Sequence, residues 1–75
     1  MIRKISIGPD PFKAMHYILG QTVLDKSWVI STIILKEGKY IIWIQKEGEE
    51  IMWKSFNENL PIQVEYNIDY NEISS

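Results

Sequence analysis

Seventy-five residues without a cysteine form one small domain spanning 1–75, with neither a disulfide nor a thiolate metal site to stabilise it. A chain of this length buries only about 60–65% of the surface exposed by its unfolded form, so association with another surface would widen a thin stability margin. The net charge of −2 and the lack of a basic run argue against nucleic acid as a partner, because neutralising phosphates needs clustered Lys and Arg.

In chain order, Ile2 to Ile7 reads as a short strand, ended by Gly8, Pro9 and Pro11, which cannot continue a hydrogen-bonded ladder. Asp10 as N-cap and Pro11 as first helical residue predict a helix through F-K-A-M-H-Y-I-L, stopped at Gly20. Phe12, Met15 and Leu19 would share its buried face. From Trp28 the pattern changes to strands over about 28–35, 40–45 and 50–55, separated by K-E-G at 36–38 and again at 46–48. Gly38 and Gly48 can take the positive φ of a type I′ turn, or of a type I turn with a bulge. After a loop holding Asn57, Asn59 and Pro61, residues 62–71 alternate without exception between apolar or aromatic and polar, as in a half-buried strand with a wet side. The expected fold is α+β, in the order β-α-β-β-β-β. A mainly antiparallel sheet of four to five strands would carry one N-terminal helix on one face.

Closing both hairpins over two residues sets Leu35 near Tyr40, Ile33 near Ile42 and Ile44 near Ile51. One face of the sheet then carries Val29, Ile33, Leu35, Tyr40, Ile42, Ile44, Ile51 and Trp53. The other carries Trp28, Ile30, Ile34, Ile41, Trp43 and Met52. A short helix covers one face of a sheet, whereas an antiparallel sheet ordinarily has one dry face and one wet face. The second apolar face therefore calls for a cover. Trp28, Ile34, Ile41, Trp43 and Met52 form the candidate partner-binding patch, since aromatics and Met are enriched at interface centres. A homodimer is the simplest cover, with loop 20–27 or the C-terminal tail as the intramolecular alternative. Charge offers a second candidate surface: residues 47–75 carry seven acidic groups and one basic one, while residues 1–46 carry seven basic and three acidic. Glu47, Glu49 and Glu50 concentrate that acidity at a hairpin, facing either a basic partner or solvent.

No catalytic, cofactor or metal motif occurs. His16 is the sole histidine and lacks a second ligand at metal-binding spacing, the four glycines are isolated, and the hairpin glutamates have no neighbour to tune them for acid–base work. Tyr40 and Trp43 interleaved with Lys39, Lys46 and Lys54 leave open a nucleotide- or ligand-binding alternative, with bases stacked on aromatic rings. The longest uncharged apolar run, S-W-V-I-S-T-I-I-L, is too short to span a bilayer, so a cytoplasmic location without membrane contact is expected.

The wording "LKEGKYIIWIQKEGEEIMWKSFNENL", rich in Ile, Lys, Glu and Asn within a short acidic chain, resembles the small early proteins of T-even-type bacteriophages. That resemblance implies a non-enzymatic protein-binding module, an inhibitor or adaptor acting on a host defence or transcription protein. It carries over no functional residue.

Overall fold

Fourteen isoleucines against one alanine favour extended backbone, where a β-branched side chain packs well on a pleated surface. The computed structural model describes residues 1–67, and these contain seven strands and no helix. The strands are β1 (Ile2–Ile7), β2 (Met15–Ile18), β3 (Thr22–Val23), β4 (Trp28–Lys36), β5 (Lys39–Lys46), β6 (Glu49–Asn57) and β7 (Ile62–Tyr66). They make two antiparallel sheets, ordered β2-β1-β7 and β3-β4-β5-β6. The α+β expectation is thus replaced by an all-β fold.

The segment expected to be helical shows why. Asp10 does cap a turn: its Oδ1 accepts from the Phe12 N–H at 2.9 Å, and its carbonyl accepts from the Lys13 N–H at 3.0 Å. Such an Asx-type turn uses the same cap chemistry that starts a helix. A helix of about nine residues is marginal alone. Tyr17 and Ile18 favour a strand, and β2 pairs with β1 from Ile7 opposite Met15 to Lys4 opposite Ile18. The pairing buries Tyr17 to 4% exposure and leaves Phe12, assigned to the helix's inner face, 97% exposed.

Beyond β2 the chain passes from one sheet to the other. The Leu19 N–H still donates to the Arg3 carbonyl, whereas the Gly20 N–H donates to Ile30 of the second sheet. Gly20 sits at φ 87°, in the left-handed region that favours glycine, so the corner needs it. Tyr17 ties the layers from this corner. Its ring meets Trp53 edge-on at 5.8 Å and Phe56 at 5.5 Å, joining β2 to β6.

Both K-E-G hairpins close over two residues, Glu37-Gly38 and Glu47-Gly48, all four at positive φ as type I′ turns demand. The register follows, with Leu35 opposite Tyr40, Ile33 opposite Ile42 and Ile44 opposite Ile51. Alternation does not run through, however. Ser31 is an extra residue in β4, Arg3 in β1 and Trp53 in β6, each at a register shift against the neighbouring strand. The two bulges in β1 and β4 let apolar residues three apart face the same side. Ile2 and Ile5 flank Arg3-Lys4, and Ile30 and Ile33 flank Ser31-Thr32. With Tyr17, Ile42 and Ile44 they form the buried core.

On β7, Ile62 and Val64 pack against that core while Gln63 and Glu65 are exposed, as the alternation expects, but Tyr66, the next of the apolar set, is 59% exposed at the strand's end. Ile68 to Asn71 of the expected strand lie outside the described residues. β7 borders β1 at the edge of the first sheet, where Arg3 Nη1 meets Glu65 Oε1 at 2.7 Å on the wet side. No helix of the described residues is long and apolar enough to cross a membrane.

Adjacent isoleucines on β5 provide a check of the face assignment. Ile42→Ala should cost about 2–5 kcal/mol, as for a fully buried side chain, and Ile41→Ala about 1 kcal/mol or less, as for a cross-strand contact on an open face. Urea denaturation of the two variants measures both. Tyr17 gives a second check, since burial raises its hydroxyl above the ordinary tyrosine pKa. The folded state then holds this proton more tightly than the unfolded chain. The stabilisation is complete below about pH 10 and is lost as pH rises beyond it. Urea midpoints measured across that range should therefore fall more steeply for wild type than for Tyr17→Phe.

Candidate functional site

The register places two apolar rows side by side on the face of the second sheet turned away from the core. One row is Thr32, Trp43 and Met52, and the other is Ile34, Ile41 and Ser55. Ile34, Ile41 and Trp43 are half-buried by one another and by the sheet, and Met52 is 56% exposed. None of the four belongs to the core cluster or to the side chains packed against it. Val29, 39% exposed, extends the face beyond the bulge. The structure thus unites four of the five expected apolar patch residues.

Trp28 is the exception. Ser31 reverses the inside–outside sense of β4, so Trp28 and Ile30 turn to the core side while Val29 turns out. Trp28 packs at the margin of the core with Lys46 Nζ 5.7 Å from its ring centroid. The acidic hairpin is divided as well. Glu47 lies in the turn, Glu49 stands opposite Lys46 on the Trp28 side, and only Glu50, opposite Gln45, joins the outward face. The Ser31 hydroxyl contacts both Glu50 Oε2, at 2.9 Å, and the Trp43 carbonyl, at 3.3 Å, tying the bulge to the acidic end of the face. An open depression of about 540 Å³ adjoins that end, lined by Ser27, Val29, Gln45, Lys46 and Glu47.

Sequence reasoning did not place on this face the members that the bulge and the turn bring in: Ser31 and Thr32 at one side, Lys36 and Lys39 at the other. A signal was present. I-S-T-I, like I-R-K-I in β1, sets two polar residues between isoleucines where strict alternation allows one.

The outer face of the first sheet is largely polar, with Ile18, opposite Lys4, its half-buried apolar member. Ser6 Oγ lies 2.8 Å from His16 Nδ1, beside Lys4, Gln63 and Glu65 around a shallow hollow of about 140 Å³. His16 is on a strand, not a helix, and the pair is exposed. The only side-chain hydrogen bond of the His16 ring among the described residues is this one, at Nδ1. Among the described residues, no group of three or more His, Cys, Asp or Glu could hold a metal ion. The aromatic and lysine side chains considered for base stacking are dispersed. Tyr40 packs on the core, Trp43 faces outward, and Lys54 Nζ lies 4.9 Å from the Trp53 ring, which itself packs against the core.

No protein-family model matches the chain, and neither a curated protein nor a solved structure matches it significantly.

The two faces make different demands on their tryptophans. Trp43→Thr should change stability by about 1 kcal/mol or less, because only cross-strand contacts are lost. Trp53→Thr removes the Tyr17 contact and should cost about 3 kcal/mol. Thermal and urea unfolding of the two variants would compare them, and equal losses would place Trp43 in the core.

Proposed function

We propose that the protein is a non-enzymatic protein-binding module that docks a partner through the outward face of its second sheet. The observation that carries this reading is the pair of rows built on Trp43–Met52 and Ile34–Ile41, separate from the core cluster. Antiparallel sheets with one face in water ordinarily present polar residues there, and this chain largely does so on its first sheet, through Lys4, Ser6, Gln63 and Glu65, with Ile18 as the apolar exception. The contrast between the two sheets supports a face kept apolar for contact. Aromatic and Met side chains suit the centre of such a contact, and Glu50, Lys36 and Lys39 supply its charged rim. The resemblance to small early phage proteins puts a host defence or transcription protein among the candidate occupants, with the chain acting as inhibitor or adaptor. Base stacking is the weaker reading, because Tyr40 and Trp43 lie on opposite sides of the sheet.

The test is a photo-crosslinking amino acid at Ser55, within the apolar rows, compared with one at Gln63 on the polar sheet, both expressed in cells. The Ser55 position should give a discrete adduct that Gln63 does not, and adding Trp43→Thr should abolish it. Equal labelling at both positions, or no adduct at Ser55, would contradict the reading. The adduct's mass separates a second 8.8 kDa chain from a different protein.

A further inference from the structure

The docking face has opposite charge at its two ends. Glu50, opposite Gln45, ends one side, and Lys36 and Lys39, opposite each other across the first hairpin, end the other. The two apolar rows lie between them. Successive rows are two residues apart along β5, which puts Glu50 and Lys39 about 20 Å apart along the strand direction. Other charges border the two ends: Asp25 and Lys26 lie in the β3–β4 connection, and Lys46 and Glu47 line the depression beside the Glu50 end with Val29 and Gln45. Lys46 and Glu49 share the opposite side of the sheet with Trp28, Glu47 and Glu37 occupy turns, and Glu58 approaches Gly38 from the loop after β6.

A surface whose sign reverses from end to end complements itself after a half-turn. Two orientations of a two-fold axis would bring two such faces together. With the axis along the strands, Trp43 lies over Trp43 and Lys39 over Lys39. With the axis across the strands, between the two apolar rows, the Thr32–Trp43–Met52 row of each copy lies over the Ile34–Ile41–Ser55 row of the other. The large ring then meets smaller side chains, and Glu50 approaches the lysine end of the second copy. The second orientation satisfies shape and charge together.

We infer that a second copy of this chain occupies the face, packed sheet on sheet about an axis across the strands. The inference rests on the docking reading above and names its occupant. Three strands and four rows span about 15 by 25 Å. That area is below the ~800 Å² per partner of a standard stable interface, so the dimer is weak and exchanges with monomer. Its end-to-end charge pairing makes it weaken as salt is raised.

Sedimentation equilibrium from about 1 μM to about 1 mM covers the range in which such a dimer forms. Wild type should dimerise, Trp43→Thr should remain monomeric, and Glu50→Lys should weaken association about tenfold or more by setting like charges together. Glu50→Gln, which keeps an acceptor for Ser31, should weaken it less and guards against a folding defect in the Lys variant. The decisive sample is a mixture of Glu50→Lys with the double variant Lys36→Glu/Lys39→Glu. The first is basic at both ends of the face and the second acidic at both, so each alone should associate poorly while the mixture forms a heterodimer. A wild type still monomeric at about 1 mM would overturn the second copy as occupant and leave the docking face to be judged by the Ser55 adduct. Dimerisation undiminished in Trp43→Thr would overturn the face as well. A mixture that stays monomeric while wild type dimerises would overturn the inferred arrangement.

Discussion

The extra residue in β4 governs the rest of the structure. A strand has a side-chain period of two, so Ile30 and Ile33 cannot both face one side unless the ladder gains a residue between them. Ser31 is that residue, with Ser31 and Thr32 together opposite Trp43. The exchange brings Trp28 and Ile30 to the core side and turns out Val29. β1 repeats the device with Arg3 and Lys4, which puts Ile2 and Ile5 on the same side. In each case the doubled position is polar and faces water, where Ser31 bonds Glu50 and Arg3 pairs with Glu65. Among the described residues, a core of seven is thereby assembled from strands whose apolar residues would otherwise divide between two faces.

Turn chemistry fixes how these strands meet. Glu37-Gly38 and Glu47-Gly48 hold β4, β5 and β6 in the register that sets Trp43 beside Met52 and Ile34 beside Ile41. A slip of one residue at either turn would send Trp43 or Met52 to the core side and break the outward face. The β3–β4 connection is made differently, by Leu24, Asp25 and Lys26 at φ 51°, 60° and 65°. Left-handed backbone without glycine costs about 1–2 kcal/mol per residue, so that loop is held by its flanking pairs, Val23 with Trp28 and Thr22 with Val29.

Much of this was legible from the sequence, and what was not has physical causes. The meander, its type I′ option and its cross-strand neighbours follow from glycine spacing and apolar alternation, and the outward set of Ile34, Ile41, Trp43 and Met52 with them. The helix fails because Asp10 and Pro11 suit a turn as well as a helix start, and because only tertiary pairing reveals that Tyr17 fills the space between the sheets. Trp28 departs from strict alternation because the extra residue Ser31 reverses the inside–outside sense of β4. The bulge also corrects the larger expectation: the two sides are not equally apolar, since Ile30 and Trp28 leave the outward face. The apolar face that remains is smaller than the sequence implied and is confined to one sheet.

Both the core and the outward face depend on the reversal at Ser31. Isotope-edited nuclear Overhauser spectra would test it through the side chains of β4. The Trp28 ring and the methyl groups of Ile30 and Ile33 should all show contacts to core residues such as Ile44, Ile42 and Ile5, while Val29 and Ile34 show none to the first sheet. Core contacts from Val29 in place of Trp28 and Ile30 would mean uninterrupted alternation and would contradict both the core and the outward face described above.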